Sequence, residues 1–260
     1  MQLPDTALRE GVAESAAAVL ERLRVRSPRV HCITNAVAQN FTANMLLAAG
    51  CVPSMSLDRE EIASFVVEAD ALLVNLGTLD ADRRAAAEIA VATATQHGVP
   101  WVLDPVFVDR TRTRATFAGA LIARSPTVVR LNHAEFATLA GAEPSADAAI
   151  AAARANGIVI ALSGATDLVT DGEWTAVIAN GHPLMAKVTA MGCAASALVA
   201  ACLGVELDAF RASAAALTLM GVAGEVAAAK SEGPGSFAVA IVDAIHRLDK
   251  ATLLAHAKVK

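Results

Sequence analysis

The sequence predicts an α/β protein with a mainly parallel central sheet and helices on both faces. Three observations carry this reading. Short apolar runs rich in branched residues recur at 30–33, 71–74, 101–103, 127–129 and 158–162, each too short for a helix. Helical patterns separate them at 38–49, 59–69, 81–97, 115–123, 133–140 and 145–156. Glycines stand at 50, 98, 141 and 157, where C-terminal caps belong. Such a βαβα rhythm buries parallel strands beneath helices on either side.

Composition agrees with a large core. Of 260 residues, 55% are hydrophobic and 18% charged, which excludes disorder, and alanine fills the space left by an aromatic content of 3% with no tyrosine. One domain over 1–260 is expected, since no linker, repeat or low-complexity tail interrupts the pattern. A net charge of −5 without a basic stripe argues against a nucleic-acid partner. The helix at 7–24 mixes acidic and basic residues and does not read as an export signal. Cys32, Cys51, Cys193 and Cys202 share no CxxC spacing, so a reduced, cytoplasmic protein with neither disulfides nor a zinc cluster is expected.

The stretch 188–205 has no charged residue, close to the roughly 18–20 residues that span a bilayer. It consists largely of Ala, Gly, Ser, Thr and Cys, which partition poorly into lipid, so a buried central helix is predicted. Before it the pattern changes: ATDLVT, the turn Asp171-Gly172 and EWTAVIAN predict an antiparallel hairpin at one edge. Helices follow at 191–203, 208–229 and 236–248.

Ligands of open parallel sheets bind beyond the carboxyl ends of the strands. Polar residues gather at those ends: Thr34 and Asn35; Asn75, Gly77 and Thr78; Asp104 and Pro105; Arg130 and Asn132; Ser163 and Gly164. The turn Thr189-Ala-Met-Gly-Cys193 completes this rim and starts a helix with small residues. The first N–H groups of a helix lack internal partners and carry the positive end of its dipole, so this turn can hold an anion with Cys193 beside it. Together these features suggest phosphoryl transfer, although small residues before a helix also serve close packing.

Other rim residues admit two readings. Asp104 either caps a turn or faces Mg²⁺ and phosphate, because magnesium takes one or two carboxylates plus water and phosphate oxygens. Asn132 and Glu135 have capping-box spacing, and Glu135 could also face metal-bound water. Arg130, at a strand end, is the better phosphate candidate, while Arg110, Arg112 and Arg114 have the default reading of solvated loop charge. Met55 is either core or an apolar wall for a small ring near Asn35. His133 reads as a surface helix residue without a role.

The motifs VHCITNAVAQNFTANMLLAAGCVPSM, LLVNLGTLD, WVLDPV, RLNHAEF, LSGATDLVTDG, KVTAMGCAASALVAA and GPGSF occur in the order seen in hydroxyethylthiazole kinases, which the chain resembles from about residue 30 to 248. The resemblance implies a ribokinase-like fold and transfer of the ATP γ-phosphate, with Mg²⁺, to the hydroxyl of 4-methyl-5-(2-hydroxyethyl)thiazole in thiamine salvage. It also implies a homotrimer with sites between subunits. Matched by position, Met55 and Asn35 would contact the thiazole, with Ala190 and Gly192 in the substrate-side turn. Arg130, Asn132 and Ser163 would contact the nucleotide, Ser163 standing where the family often has Thr. Asp104 and Glu135 would be the acidic pair near Mg²⁺, and Cys193 would activate the hydroxyl. A helix N-terminus ordinarily lowers a thiol pKa, so Cys193 is expected to be a weak base, with Asp expected to substitute for it.

Two departures stand out. The family's Gly-Thr-Gly-Cys is here Ala190-Met191-Gly192-Cys193, and Ala resists the positive φ that Gly allows. The loop after Pro105 reads FVDRTRTR rather than carrying glycines, which suggests an arginine-based triphosphate grip. Competing readings are a related kinase acting on hydroxymethylpyrimidine or a sugar, a non-catalytic binding protein on the same fold, and a purely structural oligomer. The ITNAVAQNFTAN segment favours the thiazole, the presence of Asp104 and the Gly192-Cys193 turn disfavours the binding protein, and a purely structural oligomer would leave the rim clusters without a role.

Overall fold

In the computed structural model, which describes residues 5–260, one eight-stranded sheet runs in the order β2-β1-β3-β4-β5-β6-β7-β8. The strands are β1 (Arg29–Ile33), β2 (Val52–Ser54), β3 (Ala71–Asn75), β4 (Trp101–Asp104), β5 (Val128–Asn132), β6 (Val159–Ser163), β7 (Asp167–Thr170) and β8 (Thr175–Ile178). β1 to β6 are parallel, and β7 and β8 add an antiparallel hairpin at one end, as the sequence predicts. The Gly172 φ of 95° supplies the left-handed step of the hairpin turn. The expectation of one domain over 1–260 includes residues 1–4, which lie outside the described residues.

Successive strand side chains alternate between two cores. Val30, Cys32, Leu73, Val102 and Val128 face a cluster shared with helices α1 (Asp5–Arg26), α2 (Gln39–Ala48), α8 (Met191–Leu203), α9 (Ala209–Ala228), α10 (Pro234–Arg247) and α11 (Lys250–His256). Ile33, Leu72, Val74, Leu103 and Val129 face the opposite cluster, with α3 (Ile62–Val67), α4 (Ala81–His97), α5 (Arg112–Ile122), α6 (His133–Ala140) and α7 (Ala146–Asn156). Helices thus cover both faces. Strands sandwiched in this way are apolar on both sides, which is why the sequence shows them as continuous runs.

Helix ends follow the cap chemistry. Asp80, Thr111, Ser145 and Asp208 each accept a backbone N–H of the first turn, and Gly98, Gly141 and Gly157 close helices in the left-handed conformation. Thr111 starts α5 earlier than the predicted 115, and α3 covers only the middle of the predicted 59–69. Three elements were not anticipated: the short edge strand β2, the 3₁₀ turn Pro183–Lys187, and α11. β2 contains Pro53, which an edge strand tolerates because that N–H is not needed by a further partner. α8, the uncharged segment, has eleven of its thirteen residues buried and packs against β1, β3 and β4. Among the described residues, no helix is long and apolar enough to cross a membrane.

Candidate active site

The parallel register brings the polar strand ends together at one edge. Asn75 is paired with Asp104 across β3 and β4, and Asn132 with Ser163 across β5 and β6. α8 begins at the same edge, and a chain of side-chain hydrogen bonds joins it to the strands. Asn35 Nδ2 donates to Cys193 Sγ at 3.3 Å and to Asn75 Oδ1 at 3.1 Å. Asn75 Nδ2 then donates to Asp104 Oδ2 at 2.7 Å, and the Ser196 hydroxyl donates to the same oxygen at 2.8 Å.

Backbone groups fix these amides. Asn35 Oδ1 accepts Ala38 N–H and Asn75 Oδ1 accepts Gly77 N–H, both at 3.0 Å, so each Nδ2 must point along the chain toward Cys193 and Asp104. Gly77 makes this possible: a Cβ there would stand 2.7 Å from Asn35 side-chain atoms. Cys193 Sγ therefore receives a hydrogen bond, leaving its own S–H to be directed elsewhere.

Ala190, the N-cap of α8, has φ 67° and ψ 3° and offers no side-chain cap. The left-handed turn is thus kept although alanine replaces glycine, at a cost of about 1 kcal/mol. Helix N–H groups at the start of α8 are left uncapped by any side chain, as an anion site requires. Gly192 is needed for a different reason. The Arg130 guanidinium lies against it, so that a Cβ on residue 192 would come 2.8 Å from Nη1.

Arg130 faces a concentration of carboxylates: its charge acts on Asp104, Glu135 and Asp167. Its Nε is nevertheless buried without a hydrogen-bond partner. Burial pushes the pKa values of all three acids up, and the negative charge of Asp104 adds to the rise at Glu135. Both bonds to Asp104 fall on Oδ2. The capping box predicted for Asn132 and Glu135 is present: Glu135 N–H donates to Asn132 Oδ1 at 3.0 Å and Asn132 N–H to Glu135 Oε2 at 2.9 Å. Glu135 Oε1 also accepts Phe107 N–H at 3.1 Å, holding that residue at φ 61° where the loop lacks a glycine.

The expectation for the Cys193 pKa is overturned. Burial, then the negative charge of Asp104, push the thiol up to about 11, outweighing the hydrogen bonds from Asn35 and Asn75. The helix terminus does not prevail because the sulfur is too far out of water for its anion to be favoured.

The remaining predicted residues sit on the same rim or beside it. Ser163 ends β6 and donates to Leu131 O at 3.3 Å. Met55 follows β2 at the sheet's outer edge, half-buried against the core that contains α2 and α8. Of the loop arginines, Arg114 bonds the carbonyls of Leu76 and Val106, and Arg110 pairs with Asp109 at 3.1 Å. That ties Arg114 to the backbone of its own loop and to the segment after β3, so it holds the two together. Asn75 was visible in the sequence as a rim residue without a role. Ser196 and Asp167 were missed; a lone hydroxyl one turn beyond Gly192 in an apolar helix was the available signal for Ser196.

Residues 20–251 match the profile described as the hydroxyethylthiazole kinase family. The chain belongs to that family. Its membership carries the enzyme class: a kinase of thiamine biosynthesis with ATP as co-substrate. A probable hydroxyethylthiazole kinase of Agrobacterium fabrum is 44% identical over 248 residues, covering 95% of this chain and 96% of that protein. A hydroxyethylthiazole kinase of Klebsiella pneumoniae is 45% identical over 238 residues, covering 86% and 92%. The structure of a hydroxyethylthiazole kinase protein from Pyrococcus horikoshii superposes with a TM-score of 0.92 at 36% identity, covering 95% and 98% of the two chains. A ribokinase-like superfamily protein from Enterococcus faecalis, TM-score 0.69 at 14% identity over 87% of this chain and 89% of that one, shares the fold.

Among the described residues, no group of three or more His, Cys, Asp or Glu could enclose a metal ion. Magnesium bound to nucleotide needs no such cage, since waters and phosphate oxygens complete its shell. A buried Asp104 with Oδ1 clear of the bonds on Oδ2, repelling a second carboxylate, is a donor set that fits such a cation.

Proposed function

We propose that this family member transfers the γ-phosphoryl group of ATP to the primary hydroxyl of 4-methyl-5-(2-hydroxyethyl)thiazole, acting as a single domain. The observation that carries the reading is the hydrogen-bonded chain from Cys193 through Asn35 and Asn75 to Asp104, joining a helix N-terminus to a buried carboxylate.

In this reading the thiazole lies between Met55 and Asn35, with Ala190 and Gly192 beneath its hydroxyl. With a pKa pushed up to about 11, Cys193 is protonated at neutral pH, so its task is to orient the hydroxyl rather than to act as a resident thiolate. Most of the rate in phosphoryl transfer comes from positioning and charge stabilisation, so an orienting group is enough. The hydroxyl oxygen bonds the γ-phosphorus as the bridging bond to ADP breaks, and the hydroxyl proton passes to an oxygen of the transferred phosphoryl group and on to water. Uncapped N–H groups of α8 and the Arg130 guanidinium stabilise the charge on the phosphoryl oxygens. Arg130, Asn132 and Ser163 hold the nucleotide. Mg²⁺ would be held by Asp104, with Glu135 accepting from its water, and when bound would neutralise phosphate charge.

A homotrimer with sites between subunits is part of the proposal. Val37 in the turn before α2, Leu47 on α2, Val52 on β2, and Phe65 and Val67 on α3 are all exposed, and a groove of about 370 Å³ is lined by Val52, Ser54 and Phe65. Covering these by another copy would complete the surroundings of Met55. A cytoplasmic setting suits the four free cysteines, and the net charge of −5 argues against a nucleic-acid partner.

The test is ADP release by the purified protein with ATP and Mg²⁺, with and without the thiazole alcohol. Thiazole-dependent release with a phosphorylated product is expected. Folded, ATP-binding protein that shows no such dependence would move the assignment to another alcohol. Light scattering at the working concentration should give three times the mass of the 26.6 kDa chain.

A further inference from the structure

His31 lies in the middle of β1 and is completely buried. Its ring stacks on Phe65 of α3, with centroids 5.5 Å apart and planes 21° from parallel. Nε2 is 3.1 Å from the carbonyl oxygen of Ser56, which can only accept, so Nε2 bears the hydrogen. Nδ1 of the neutral ring is then an acceptor, and Ser54 Oγ, 2.8 Å away, donates to it. Burial holds the ring neutral, lowering its pKa to about 4.

The two partners flank one residue. Ser54 ends β2 directly opposite His31 in the sheet register, and Ser56 lies two positions on, with Met55 between them. Beyond Ser54 the segment 55–58 leaves the sheet and has no ladder to hold it. Ser56 is fixed from one side by His31 and from the other by its hydroxyl's bond to Glu61. A ring with one donor and one acceptor can grip both sides of Met55; an aliphatic residue at position 31 could fill the space but not the grip.

We propose that His31 is a positioning residue for the phosphate acceptor. It sets where Met55 stands and so tunes affinity for the acceptor alcohol, while leaving nucleotide handling alone. This rests on the function proposed above.

The experiment compares wild type with His31→Phe, which keeps the stacked ring and drops both hydrogen bonds, and with His31→Gln, which restores a donor toward Ser56. Steady-state kinetics are combined with methyl NMR of ¹³C-methionine protein, the Met55 signal being assigned by its loss in Met55→Leu. In His31→Phe the acceptor KM is expected to rise about tenfold, the upper end for lost hydrogen bonds, with ATP KM and kcat within about threefold. His31→Gln should fall in between, and the Met55 methyl should shift and broaden. An unmoved Met55 methyl with an unchanged acceptor KM overturns the proposal. So does a parallel rise of both KM values with a lowered Tm, which would mark His31 as a general packing residue. If wild type does not phosphorylate the thiazole, the proposed function fails separately, and the Met55 methyl comparison still decides the role of His31. Should His31→Phe not fold, His31→Gln carries the same readouts.

Discussion

The two sides of the sheet rim differ in how complete they are. On the side of β1, β3 and α8, the side chains of Asn35, Asn75, Cys193 and Ser196 form a hydrogen-bonded chain that ends on Asp104 Oδ2. On the side of β5 and β6, Arg130 keeps a buried Nε without a partner, among carboxylates whose pKa values are all raised. A neutral amide network can be finished within the protein because each amide supplies both donor and acceptor. Clustered like charges and a guanidinium cannot be, and their balance is restored by a ligand with its own charges. The acceptor side is thus built rigid, and the nucleotide side is left electrostatically open.

The sharpest way to break this contrast is Asp104→Asn, since Asp104 belongs to both sides. Asparagine can still accept from Asn75 and Ser196, so the network survives while the charge is lost. Activity should fall by about 10²–10³, the scale for losing a major charge-stabilising group. Stability should move the other way. A carboxyl whose folded pKa lies above its unfolded value binds its proton more readily in the folded state, so stability falls as pH rises through the window between the two. The free wild type should therefore lose Tm as pH rises above 3.8, the ordinary value, and on to the raised folded value, and the variant should lose less. A Tm at pH 7 below that of wild type would contradict this account.

Next in size is Cys193→Ala, which removes the group that orients the hydroxyl and is expected to lower kcat by about ten- to a hundredfold. Cys193→Asp, which can still accept from Asn35, should preserve or raise turnover. An alanine variant with unchanged turnover would remove Cys193 from the mechanism.

Gly192→Ala sharpens the comparison by acting first on Arg130. A Cβ 2.8 Å from Nη1 obliges the guanidinium to shift, and because its side chain is flexible the fold should persist. ATP KM is expected to rise about tenfold, and the acceptor KM by less, because the added methyl also lies in the turn beneath the hydroxyl.

The smallest effect concerns the turn between the two sides. Ala190→Gly relieves a left-handed alanine, a gain of about 1 kcal/mol partly offset by the greater freedom of glycine in the unfolded chain. A Tm higher by one or two degrees, roughly, is expected in thermal melts.

Much of this was legible beforehand. The β-strand and helix alternation, the glycine caps, the edge hairpin and the Asn132–Glu135 box are local, and each follows from residue types a few positions apart. β2 escaped notice because three residues with a proline carry no pattern of their own and exist as a strand only by pairing with β1. α11 escaped for a related reason: it is seven residues long and buries only Leu253. The rim's membership was legible too, because strand ends in a parallel sheet all point one way.

By itself, then, the sequence determined the α/β layering, the family and the residues that line the rim, since periodicity, caps and motif order are all properties of the chain. Only the tertiary structure decided how those residues meet. It oriented the amides of Asn35 and Asn75 through backbone partners distant in sequence, and brought Ser196 to Asp104. It bonded His31 to Ser54 and Ser56, on either side of Met55. It also reversed the expected shift at Cys193, because desolvation depends on what covers a group, and that is set by elements far away along the chain.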